Sequence, residues 1–130
     1  MAKSPAHRLG QIIGEALELA YEPILRDFAD EHDLYLDRQG PRAARPGKKV
    51  SWVDINGNKH DLDFVLERGG TAQRVGVPAA FIESAWRRYT KHSRAKAQEM
   101  QGAIEPLLLA HQAAKPFAGA IVGGEWTSAS

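Results

Sequence analysis

Asn56-Gly57 is the feature that most narrows what this chain can become. A two-residue hairpin turn of type I′ needs a positive φ at both central residues, and Asn followed by Gly meets that need at little cost. Before it, Val50 to Ile55 alternates apolar with polar residues; after it comes a second alternating stretch, Lys59 to Leu66. An antiparallel β-hairpin is therefore expected here. On its second strand Leu62, Phe64 and Leu66 fall on one face, and Asp61, Asp63 and Val65 on the other.

The flanking sequence supplies helices and further strands. Leu9, Ile13, Ala16, Leu17, Ala20, Ile24 and Phe28 recur at spacings of three and four, which predicts an amphipathic helix from Pro5 to Glu31. Glu15, Glu18 and Glu22 lie near its acidic face, and Pro23 is expected to kink or interrupt it. Leu34 to Leu36 suits a very short strand. Gly40, Pro41, Pro46 and Gly47 then punctuate a basic, flexible loop from Arg38 to Lys49. Val77 to Ile82 is a continuous apolar run, as expected of a strand buried on both faces, ending at Glu83. Ala97, Met100 and Ile104 stand at helical spacing between Thr90 and Ile104, and Pro106 ends that helix or opens another turn over Leu107 to His111. Phe117 to Val122 is a last apolar strand closed by Gly123-Gly124, and the end after Trp126 reads as frayed.

The order helix, three strands, helix, strand belongs to the α/β (α+β) class. It implies one domain over residues 1–130, with a mixed central sheet of about four strands flanked by two long helices. The absence of cysteine excludes a disulfide scaffold, a thiolate metal site and a cysteine nucleophile, so any metal must sit on oxygen or imidazole. No apolar run approaches the ~18 residues of a membrane span, and Met1 to His7 is polar, so a cytoplasmic protein with no membrane partner is expected.

Net charge is only +1, but its sign is unevenly spread. From Met1 to Asp37 eight acidic residues oppose three basic ones, whereas Arg38, Arg42, Arg45, Lys48 and Lys49 follow with no acid among them. Arg87, Arg88, Lys91, Arg94 and Lys96 form a second such cluster. Clusters of this kind hold phosphates of nucleic acid, or else are solvated faces. Within the first, Arg42, Arg45, Lys48 and Lys49 are the expected phosphate contacts; within the second, Arg87, Arg88 and Arg94.

An acid in mid-strand is disfavoured and costs several kcal/mol if buried without a partner. Asp63 is one, and Glu83 stands where a buried strand ends. If their strands are neighbours, the two carboxylates come within reach of one cation. Oxygen-only ligation favours magnesium, with manganese as substitute. A salt bridge for Asp63, and a capping or surface role for Glu83, are the simpler alternatives. His60 precedes Asp61 and Asp63 but has no second His at ligand spacing, and His92 suits a phosphate contact. Ser84 and Ser93 lack a base and orienting acid, and phosphate-loop and dinucleotide fingerprints are absent.

The order of elements resembles the PD-(D/E)XK nuclease superfamily, and within it the restriction-endonuclease-like proteins. The resemblance covers most of the chain and is most specific in HDLDFVLE, His60 to Glu67, and GVPAAFIESAWRRYTKHSRAKAQE, Gly76 to Glu99. It implies a magnesium-dependent DNA endonuclease that hydrolyses phosphodiester bonds, with Asp63 and Glu83 as the metal-binding acids. The lysine such sites carry two residues after the second acid is replaced by Ala85. The resemblance then implies a substitute on the following helix, Lys96 first and Lys91 second, with Gln98 and Glu99 on the same polar edge. Glu15 and Glu18 resemble the extra acid some members supply from the first helix, and a solvated helix face explains them equally well. The missing lysine leaves open a catalytically inactive nucleic-acid-binding or protein-interaction module. Sequence-specific reading would need more surface than this core, from a homodimer or a further segment of a longer protein.

Overall fold

The computed structural model describes residues 5–87 and 104–124, with side chains described for residues 15–83 and 104–119. Helix α1 runs Pro5–Glu31 without interruption at Pro23, which lies inside it. It ends as His32 N–H donates to the Phe28 carbonyl at 3.0 Å and Asp33 takes a left-handed φ of 55°. Asp tolerates that conformation better than most residues, and the turn delivers the chain straight into β1, Leu34–Arg38.

Strands β2 (Val50–Val53), β3 (Lys59–Leu62), β4 (Phe64–Arg68), β5 (Val77–Arg87) and β6 (Phe117–Gly124) follow. A helix, α2, occupies residues 104–110, and a single 3-10 turn, Gln112–Ala114, leads into β6. The central sheet has the order β1-β4-β5-β6, antiparallel, antiparallel and then parallel. The class is thus the expected mixed α+β one with a mixed sheet. Strands β2 and β3 form a separate two-stranded hairpin around Gly57, whose φ is 82°.

Two expectations need correction. The strand Val50 to Ile55 is not in the central sheet; the short β1 holds the place next to β4 instead. The stretch from Lys59 to Leu66 is not one strand either, because it bends at Asp63. The reason lies in where its apolar side chains go. Regular alternation would put Leu62 and Phe64 on one face, yet Leu62 packs with Val50, Val65 and Phe81 while Phe64 packs with Leu36, Leu66 and Ile82 on the other side. Only a turn of the backbone between them satisfies both burials.

Those two groups are the two core layers. Leu25 and Ala29 of α1 cover Leu36, Phe64, Leu66 and Ile82 on one face. Ile104 and Leu107 of α2, with Val50 and Leu62 of the hairpin, cover Val65 and Phe81 on the other. Phe81 and Leu107 are completely buried, worth roughly 1.5–3 kcal/mol each relative to exposure. Burial of β5 on both faces, expected from its apolar run, is met by Phe81 and Ile82, although the strand continues to Arg87.

Candidate functional site

Between β4 and β5 the last pair on the side of the bend is Phe64 with Ile82. Asp63 immediately precedes Phe64 and Glu83 immediately follows Ile82, so the two acids flank the last pair at the same end of β4 and β5, Asp63 at the bend where the ladder stops. Neighbouring strands lie roughly 4.7–4.9 Å apart, so acids at the same end of two adjacent strands can come within reach of one cation. Both residues are half-buried, and Glu83 is further fixed by its pairing with Ala120 of β6. Asp63, Glu83 and Glu18 each interact with other groups of the chain.

Among the described residues no group of three or more His, Asp or Glu side chains gathers around one point. A metal held by Asp63 and Glu83 would therefore complete its shell with water and substrate oxygens. That suits magnesium, which sheds water reluctantly and takes one or two carboxylates beside phosphate. The donor set fits the ion in kind.

The other expected site residues are distributed as follows. Asp61 is not brought to Asp63; it accepts a hydrogen bond from Ser51 Oγ at 2.5 Å and lies 3.5 Å from Lys49 Nζ. The Ser51 hydrogen bond, with the Lys49 and Lys59 charges, holds the Asp61 carboxyl below its ordinary pKa. Glu15 is exposed and Glu18 half-buried on α1, the helix that covers the Phe64 and Ile82 face. Ala85 sits in β5 opposite Val122. The backbone of Arg87 closes β5. Lys91, Lys96, Gln98, Glu99, Arg88, Arg94 and His92 lie outside the described residues.

The basic loop departs most from expectation. Arg42 is no phosphate contact on the surface: its side chain is 3% exposed and bridges Glu67 at 2.7 Å and Asp37 at 3.1 Å. It also donates to the Thr71 carbonyl at 2.7 Å and the Arg74 carbonyl at 2.9 Å, and stacks 4.3 Å from the Tyr35 ring centre. Burial works against its charge, but the Glu67 hydrogen bond and the Glu67 and Asp37 charges outweigh this and leave its pKa raised. Arg45 is similarly withdrawn, donating to both Asp37 oxygens at 2.9 and 3.2 Å and to the carbonyls of Arg38 and Gly47. Two buried acids opposite this loop draw its arginines inward. Lys48 and Lys49 stay exposed.

His60 is also explained without a metal. Its Nε2 lies 2.7 Å from Asp54 Oδ2, while Asp54 Oδ1 accepts from the backbone N–H of Asn56 and Asn58. The His60 hydrogen bond first, and then those two N–H groups, hold the Asp54 carboxyl below its ordinary pKa. The hairpin tip is thereby tied down.

Among the described residues, Glu67, Asp37 and Asp54 are buried acids that the sequence alone does not single out. Glu67 carried a usable signal, being an acid inside an apolar strand just as Asp63 was. Comparison with protein-family models, curated proteins and solved structures finds no match to this chain.

Proposed function

We propose that this chain is a magnesium-dependent DNA endonuclease of the restriction-endonuclease-like, PD-(D/E)XK type. The observation that carries the reading is the register: Phe64 pairs with Ile82, and the two candidate acids flank that pair on adjacent strands. The element order of the central sheet supports it, since α1, the three strands β1, β4 and β5, helix α2 and then β6 come in the sequence the resemblance implies, with β2 and β3 set apart as a hairpin.

Asp63 and Glu83 would hold the ion, and a bound magnesium supplies a water of lowered pKa and polarises the scissile phosphate. The chain's own part is to orient. Asp63 stands at the bend between β3 and β4, and Glu83 lies within β5 and pairs with Ala120 of β6, so both acids are carried by elements of the sheet framework. Lys96 or Lys91 steadies charge developing on the phosphate. Arg87, Arg88, Arg94, Lys48 and Lys49 hold the DNA backbone, and a second copy or a further segment adds surface.

The test is strand cutting of a supercoiled plasmid by the full chain with magnesium, and again with a chelator. Cleavage is expected only in the first, and Glu83→Gln should abolish it without changing the fold. Ala85, in place of a lysine, specifically favours the second reading, a nucleic-acid-binding or protein-interaction module without catalysis. Plasmid retention with no cutting at any magnesium concentration would select it.

A further inference from the structure

The hairpin β2–β3 has two unlike faces. The pairs Val50 with Leu62 and Trp52 with His60 form one of them. Val50 and Leu62 are 1% and 2% exposed, and Trp52 packs against Phe81 with ring centres 5.7 Å apart. This face roots the hairpin in the core layer beside the candidate site. The pairs Ser51 with Asp61 and Val53 with Lys59 form the other, outward face. There Val53 is 54% exposed, Lys59 is exposed, and Lys49 reaches across to Asp61.

We propose that this outward face reads base edges in the major groove of a DNA duplex, which places the enzyme's sequence preference in the hairpin. The inference rests on the nuclease reading above and adds to it the element that would choose where to cut. A two-stranded ribbon fits the ~12 Å major groove. The face offers matching side-chain chemistry: Lys59 for guanine acceptors and Val53 for the thymine methyl, beside the Ser51, Asp61 and Lys49 side chains, which hold one another and must exchange those contacts to meet a base.

Position and rigidity support the same assignment. The hairpin ends at Leu62 and the next residue is Asp63. At ~3.3 Å per residue, the Ser51 and Asp61 pair lies about 7 Å along the chain from Asp63, and the Val53 and Lys59 pair about 13 Å. With successive base pairs ~3.4 Å apart, the bases in reach lie within about two to four steps of the phosphate at the metal-binding acids. Asp54, held by Asn56, Asn58 and His60, fixes the tip, and the Ile55 N–H donates to the Pro106 carbonyl at 3.1 Å. A ribbon held at its tip and base loses little freedom on binding.

The experiment uses the full chain, a pool of duplexes with a randomised centre, and a chelator to prevent cutting. Retained duplexes are sequenced for wild type and for Ser51→Ala/Val53→Ala/Lys59→Ala, and both proteins are assayed separately for plasmid cleavage with magnesium. Wild type should enrich a short sequence at least ~tenfold, and the triple variant should lose that enrichment while still retaining duplex. Should the triple variant fail to fold, Lys59→Ala alone should erase preference at one or two positions. An identical enriched sequence from the variant, or duplex retained by wild type with no enrichment, overturns the hairpin assignment while leaving the nuclease reading standing. Neither retention nor cleavage by wild type overturns both.

Discussion

Both terminal nitrogens of Arg42 meet the carboxylate of Glu67, at 2.7 and 3.0 Å, in a layer where neither side chain exceeds 3% exposure. Glu67 also accepts from the Gly76 N–H at 2.8 Å, and Arg42 donates to the Thr71 and Arg74 carbonyls. One ion pair thus ties the loops over residues 39–49 and 69–76 to the end of β4.

Removing one partner of such a pair strands the other as an uncompensated buried charge. Arg42→Met should cost about 3–5 kcal/mol in urea unfolding. Arg42→Lys should lose most of that too, because an ammonium cannot present two parallel N–H groups to a carboxylate. A loss below about 1 kcal/mol for Arg42→Met would show that the network contributes little.

Two glycines should respond differently to a methyl group. A Cβ on Gly70 would strike the Glu67 carboxylate and lie 3.1 Å from Tyr35 Cβ, so Gly70→Ala should cost about 1–3 kcal/mol by overpacking. Gly57, at φ 82° with nothing within 4 Å, has room but the wrong backbone sign. There Gly57→Ala should cost about 1–2 kcal/mol and Gly57→Asn less, since Asn visits the left-handed region more readily. Equal losses from Gly57→Ala and Gly57→Asn would contradict the conformational explanation.

The carboxyl of Asp54 should make the protein acid-sensitive. Its pKa is lower folded than unfolded, so the stability it contributes is fully present above the unfolded value near ~3.9 and disappears as pH falls through the folded one. Melting temperatures of wild type and Asp54→Asn should therefore differ at pH 5 and converge as pH falls below about 4. Parallel curves down to the lowest pH would remove Asp54 from that role.

Calorimetric titration with manganese tests the paired acids without requiring catalysis. Wild type should take up the ion, and Asp63→Ala and Glu83→Gln should each lose that uptake, since two neighbouring carboxylates repel when ionised unless a cation lies between them. Identical isotherms for wild type and Asp63→Ala would rule the site out.

The lysine question is separable from metal binding. Lys96→Ala should lose plasmid cleavage while keeping its fold and DNA affinity within a few fold, the pattern of a group needed mainly in the transition state. Loss from Lys91→Ala with Lys96→Ala active transfers the role, and full activity in both assigns water activation to the metal.

Local rules were legible in the sequence, and long-range partners were not. Helix α1 follows from its period, but Ile24 and Phe28 of its expected apolar face are exposed while Leu25 and Ala29 enter the core; Gly57 takes the positive φ expected of it, whereas Asn56 does not, and the strands stop at Val53 and resume at Lys59. The bend at Asp63 escaped notice because the alternation of Leu62, Phe64 and Leu66 continues unbroken across it. Which core layer each side chain enters depends on α2 and β5, far away in sequence. Arg42 and Arg45 misled for a related reason: a run of cations looks solvated until the acids that face it, Asp37 and Glu67, are placed. That β4 and β5 are neighbours, which brings Asp63 and Glu83 to the same end of the pair, is the default for two strands joined by a short loop.

Arg38 ends β1 directly opposite Phe64, where β4 begins, so a tight turn could have joined these two strands. Residues 39–63 instead make a detour that leaves the sheet and rejoins it at adjacent positions. Such a detour is an exchangeable part. Its outward face can be rewritten, and its tip lengthened, without shifting any pairing of the central sheet, provided that Val50, Trp52 and Leu62 still cover Phe81 and Arg42 still reaches Glu67. A lineage built on this frame could diversify what it grips while the frame itself stays constant, and Asp63 marks the joint between the two.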